Sequence, residues 1–161
     1  LALILGAAGG WGTVTDGCTG PSRTETTNLV DVQTLDFIQA AKKYAQWTAY
    51  LPSNYTAAAT ITATFVWIAA SASTNSVIWG CSARAYADNA ALDQAFAAGV
   101  EVTDANQGNN IVNISSPTAA VTISGSPAAG QMVQFQVYRL GSGADNLAAT
   151  ANLLQVIITY T

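Results

Sequence analysis

The side chains available for chemistry in this chain are carboxylates, amides and two thiols, because histidine is absent. That removes the usual general base, the commonest metal ligand and the centre of a hydrolase triad. No Gly-x-Ser-x-Gly elbow, phosphate loop or dinucleotide fingerprint occurs. Two carboxylates could in principle run glycoside hydrolysis, but most of the nine Asp and Glu residues sit where ordinary structure accounts for them. Asp88 and Asp93 suit a helix, Asp104 and Asp145 suit turns, and Asp16 lies in a Gly-rich segment. Asp88, Asp104, Asn106, Asn109, Asn110 and Asp145 carry oxygens that calcium accepts, yet their spacing is not that of an EF-hand, and such residues ordinarily form turns with their own backbone. Cys18 and Cys81 cannot make a four-ligand zinc site or a disulfide framework; two buried or half-buried thiols are expected, with a single Cys18–Cys81 bridge as the alternative. This inventory predicts no enzyme, no cofactor and no bound metal.

The four Trp and six Tyr raise a different chemistry, the stacking of exposed rings on sugar faces. Trp47, Trp67 and Trp79 fall on apolar faces of predicted strands, where core packing explains them. Trp11 lies in a Gly-rich segment and is the one placed to anchor on a partner. The tripeptides Asn54-Tyr55-Thr56 and Asn113-Ile114-Ser115 are glycosylation sequons that matter only in a eukaryotic secretory pathway.

At 161 residues and 16.5 kDa the chain is the size of one domain with one substantial core. Charged residues make up only 9% of it against 50% hydrophobic, about a third of the usual charged share. A surface so poor in charge suggests coverage by neighbours or crowding in an array. Five Lys and Arg and a net charge of −4 give no basic patch, so nucleic acid is not an expected partner. The longest apolar run, Leu1 to Ala8, is far short of the roughly 20 residues that span a bilayer, and no membrane association is expected. No Lys or Arg precedes that run, which argues against a secretory signal.

From Asn28 onward, short alternating runs separated by turn signals predict strands near 29–38, 44–51, 60–69, 76–87, 100–103, 110–115, 119–124, 131–140 and 151–160. In the third run Ile61, Ala63, Phe65, Trp67 and Ala69 share a face; in the eighth, Val133, Phe135 and Val137 do. The last run sets Leu154, Val156, Ile158 and Tyr160 against Leu153, Gln155, Ile157 and Thr159. With bulky residues on both faces, it reads as a central strand or one whose outer face meets another chain. Asp88 as N-cap, an Ala-rich stretch and Gly99 as stop predict one short helix. Gly141 to Asn146 reads as a flexible loop. The pattern is that of an all-β protein, an antiparallel jelly-roll-like β-sandwich over residues 28–161, preceded by an extended N-terminal arm over 1–27.

The segments Leu51-Pro52-Ser53-Asn54-Tyr55, Val77-Ile78-Trp79-Gly80, Ala85 through Phe96, Val100 through Asp104, Pro127 through Arg139, and Asp145-Asn146-Leu147-Ala148 with Ala151 through Leu154 resemble, in order, a family of tailed-phage virion structural proteins. These are jelly-roll-like modules of capsid decoration (cement) or tail-fibre type. The resemblance implies a non-enzymatic role in the virion, often as a homotrimer, with the major capsid protein or other virion subunits as partners. It brings no catalytic residues. The alternative it leaves is a receptor- or carbohydrate-binding module of a tail fibre or surface appendage. The first 27 residues depart from the family pattern. Their Leu3, Ile4, Leu5 and Trp11 are the expected partner-binding side chains, too apolar to stay solvated, and the arm is expected to lie across a neighbouring subunit, with packing on its own domain as the alternative.

Overall fold

The computed structural model describes residues 2–161, so Leu1, the first residue of the expected arm, lies outside it. In chain order the strands are β1 (Ala2–Gly6), β2 (Trp11–Gly12), β3 (Thr19–Glu25), β4 (Asp31–Phe37), β5 (Lys43–Tyr50) and β6 (Ile61–Ile68). There follow β7 (Ser76–Tyr86), β8 (Val100–Ala105), β9 (Asn113–Ile114), β10 (Ile123–Ser124), β11 (Met132–Arg139) and β12 (Ala151–Tyr160). Sheet I runs β3-β4-β12-β6-β9, and β1 shares one edge of β12 with β4: β4 takes Ala151 to Leu153 and β1 takes Gln155 to Thr159. Sheet II runs β2-β5-β11-β7, and β8 and the short parallel β10 divide the far edge of β7. If β1 to β3 and β10 are set aside, the remaining eight strands fall first-eighth-third-sixth in one sheet and second-seventh-fourth-fifth in the other. This is the strand order of a jelly roll.

Alternation along each strand delivers one apolar face per sheet, and the two faces meet as the core. Sheet I contributes Phe37, Phe65, Trp67 and Leu153, and sheet II contributes Trp79, Val133, Phe135 and Val137, all at most 1% exposed. Trp79 is the hub. Its ring stacks on Phe65 at 5.5 Å and meets Phe37 edge-on at 5.1 Å, a geometry favoured by the aromatic quadrupole. Trp47, Trp67 and Trp79 are all core residues, as expected.

Four expectations are corrected. The predicted helix after Asp88 is irregular chain: Asn89 has a positive φ of 65°, and a turn closes from the Ala90 N–H to the Ala87 carbonyl. Residues 87–93 are exposed, so no buried apolar face offsets the cost of helix nucleation. The first 27 residues do not stand apart as an arm, because β1 pairs with β12, β2 with β5 and β3 with β4. Without them one edge of β12 and one of β5 would keep open ladder groups. The face assignment on β12 also changes, since the register against β6 skips Leu154, a bulge that places Leu153 inward together with Val156 and Ile158.

The fourth correction concerns the Gly-Ser loop, which is pinned. Arg139 and Asp145 are both fully buried. The guanidinium donates to both Asp145 oxygens at 2.8–3.1 Å and to the carbonyls of Phe37, Leu147 and Ala149, which uses all five of its N–H groups. Asp145 in turn accepts the N–H groups of Ile78 and Gly141. One ion pair thus ties both sheets to the loop that leads into β12.

Candidate functional site

The four expected partner-binding residues are dispersed by the fold. Leu5 is a core residue at 4% exposure, and the Gly6 carbonyl beside it accepts the Trp47 indole N–H at 3.0 Å. Leu3 is half-buried and lines a small apolar cleft of about 120 Å³ with Tyr55, Phe135 and Ile158. Ile4 and Trp11 remain exposed, at 52% and 45%, but on different sheets. Period-two alternation explains the split within β1: neighbours in a strand face opposite ways.

Ile4 belongs to a larger feature, the outer face of sheet I. Directly paired residues share a face in an antiparallel ladder, so Ile4, Ile157 and Thr64 form one row across β1, β12 and β6. The next row is Gly6, Gln155, Val66 and Ile114. Toward β4 the bulged Leu154 joins Ile68, Val32, Val30 and Val112 along the apolar side of a groove of about 420 Å³, whose other side is formed by Thr24, Glu25 and Asn110. Ile114 is 65% exposed, and Val30 and Val112 are more than half exposed. The strands β1, β6, β9 and β12 contain no charged residue. Sequence reasoning had a signal for this face in the bulky residues on both sides of β12. It could not supply Ile114 or Val112, because only the register brings them alongside.

The polar residues considered for chemistry are engaged structurally. Asp104 accepts the Trp67 indole N–H at 2.8 Å; burial raises its carboxyl above the ordinary range, and that hydrogen bond lowers it in part. Cys18 and Cys81 are free thiols. Burial, with the Asp36 carboxylate adding to it at Cys18, pushes both up to about 12, so neither is a thiolate nucleophile at neutral pH. Asn106 is buried and donates to the carbonyls of Ser71 and Ser73. Asn113, the second sequon asparagine, is 2% exposed and donates to the carbonyls of Ile111 and Trp67. Among the described residues no group of three or more His, Cys, Asp or Glu is placed to hold a metal ion.

The arrangement defines a class of fold, an all-β jelly-roll-like sandwich in which the outer side of β1, β12, β6 and β9 is largely apolar and carries no charged residue. No protein-family model matches the chain, and no curated protein matches it.

Proposed function

We propose that this chain is a non-enzymatic structural protein of a phage virion, a capsid decoration (cement) protein that binds neighbouring subunits of the major capsid protein through the outer face of sheet I. The observation that carries the reading is the charge-free, largely apolar stretch of sheet I between the exposed Ile4 and Ile114, with half-buried Ile157 between them. Covering an exposed side chain such as Ile4 or Ile114 contributes up to about 1.5–3 kcal/mol before ordering costs. The resemblance to tailed-phage virion proteins supplies the setting, and the jelly-roll order agrees with it.

Because apolar burial drives the association, binding persists at about 1 M salt, where charges are screened beyond about 3 Å. The test is rebinding of the purified chain to phage heads that lack it, measured by co-sedimentation and copy number. The wild-type chain is expected to bind in many copies per head and to stay bound at high salt. The Ile4→Lys, Ile114→Lys double variant keeps the wild-type melting curve and loses the heads. Wild-type protein that leaves the particle at moderate salt, or a double variant that still decorates it, overturns the proposal.

A further inference from the structure

The outer face of sheet II has a different character from that of sheet I. Its second row across the strands reads Gln46, Gln136 and Ser82, and its third reads Thr48, Gln134 and Arg84. Three of these side chains form a relay: the Thr48 hydroxyl donates to Gln134 Oε1 at 2.7 Å, and Gln134 Nε2 donates to Gln46 Oε1 at 3.1 Å. The relay fixes which way each amide faces, and no protein acceptor among the described residues takes the Gln46 or Gln136 NH2 group. Ordered, half-satisfied amides on an open sheet present donors and acceptors at fixed positions.

The segment after β7 builds a wall beside this row. Tyr86 donates its hydroxyl to the Leu92 carbonyl at 3.0 Å, and Arg84 donates to the Ala95 carbonyl at 2.7 Å and to the Gln94 amide oxygen. Between wall and sheet runs a groove of about 420 Å³, with Gln46, Thr48 and Gln134 on its floor and Tyr86, Phe96 and Met132 along its side. It continues past Tyr86, Leu92 and Met132 into a second open groove of about 480 Å³. Trp11, exposed on edge strand β2, stands on the same face opposite Gln46, a residue of the groove floor.

The chemistry of these walls selects a ligand. Among the described residues Arg84 is the one Lys or Arg with no carboxylate partner, but its guanidinium is turned into the wall and Asp93 is the only charged side chain lining the first groove. An anionic ligand would meet that carboxylate and a chain of net charge −4. An apolar ligand would strand the amides without partners. What satisfies both is an uncharged molecule with many hydroxyls around an apolar ring face, since hydroxyls pair with Gln and Thr while the ring faces lie on Tyr86, Phe96 and Trp11. The open, continuous groove accommodates several linked rings.

From this we propose that the outer face of sheet II is a binding site for a neutral oligosaccharide chain, with the Gln46-Gln134-Thr48 relay as its polar floor. The site is separate from the sheet I face on which the proposed function rests, and either can fail alone.

The experiment measures binding of the full chain to immobilised neutral oligosaccharides of glucose, galactose, mannose and N-acetylglucosamine, with polygalacturonate as the acidic arm. At least one neutral series is expected to bind, with affinity rising with chain length. Gln134→Ala and Gln46→Ala should each weaken it about tenfold or more. Their melting curves should stay at the wild-type position, and Trp11→Ala should weaken mainly the longer chains. Ile114→Lys on the opposite sheet leaves sugar binding unchanged. If Gln134→Ala fails to fold, Gln46→Glu, a nearly isosteric change at the half-buried end of the relay, takes its place. Absence of binding to every neutral series at millimolar concentration, binding confined to polygalacturonate, or binding indifferent to the Gln46 and Gln134 variants overturns the proposal.

Discussion

Replacing Arg139 with Met tests how the two sheets are locked. The substitution keeps most of the side-chain volume but removes every side-chain donor to the Asp145 carboxylate, leaving it at 0% exposure with only the Ile78 and Gly141 N–H groups. Breaking a buried pair from one side costs about 3–5 kcal/mol, a large part of the roughly 5–15 kcal/mol that holds a domain folded. The carbonyls of Phe37, Leu147 and Ala149 lose their donor as well, at about 1–3 kcal/mol each, in contributions that overlap because they belong to one network. Taking about 4 kcal/mol as the total and a urea slope of about 2 kcal/mol/M, the unfolding midpoint falls by about 2 M with the slope unchanged. Equilibrium urea unfolding followed by Trp fluorescence reads this directly. The Arg139→Met, Asp145→Leu double variant is expected to be more stable than Arg139→Met alone, since it buries no unpaired charge. A single-variant shift below about 0.5 M, or a double variant less stable than the single, would refute the reasoning.

Deleting residues 2 to 12 removes β1 and β2, takes Leu5 from the core and strips the Trp47 indole of its acceptor, so the truncated chain is expected to melt well below the full one or not to fold; circular dichroism on heating checks this. Stability should also fall in alkali. The folded thiols sit at about 12 against an ordinary 9.0, so the contribution of their neutral forms is complete below about pH 9 and drains away as the pH climbs toward 12. Tyr138, raised by burial and by its bond to Glu101, moves the same way. Melting temperatures across that window should drop less in Cys81→Ala, and Cys81 should resist alkylation in the native protein at neutral pH.

The long strands were legible because each obeys one period over seven or more residues, as β6 and β11 do with Phe65, Trp67 and Phe135 on the inner face. The opening strands were not, since β2 has two residues and β3 carries Gly20 and Pro21, which read locally as loop; it is the open edges of β4, β5 and β12 that recruit them. The Ala-rich stretch after Asp88 misled for the converse reason: its helix signals are local, while its conformation is set by hydrogen bonds from Arg84 and Tyr86. Of the candidate surfaces, Ile4 and Trp11 were visible as misplaced apolar residues. The rows that join Ile4 to Ile114, or Gln46 to Gln134, depend on register between strands far apart in the chain. No local pattern carries that information.

The position of β12 governs how the molecule is made. Its neighbours β1, β4 and β6 leave the ribosome long before it, yet none of them pairs with another of the three. Sheet I therefore has no centre until Ala151 to Tyr160 has emerged, and the inner faces of β4 and β6, with Phe37, Phe65 and Trp67, wait uncovered during synthesis. Nascent chains halted before residue 150 should bind chaperones that recognise extended apolar segments, and release should coincide with arrival of the final strand.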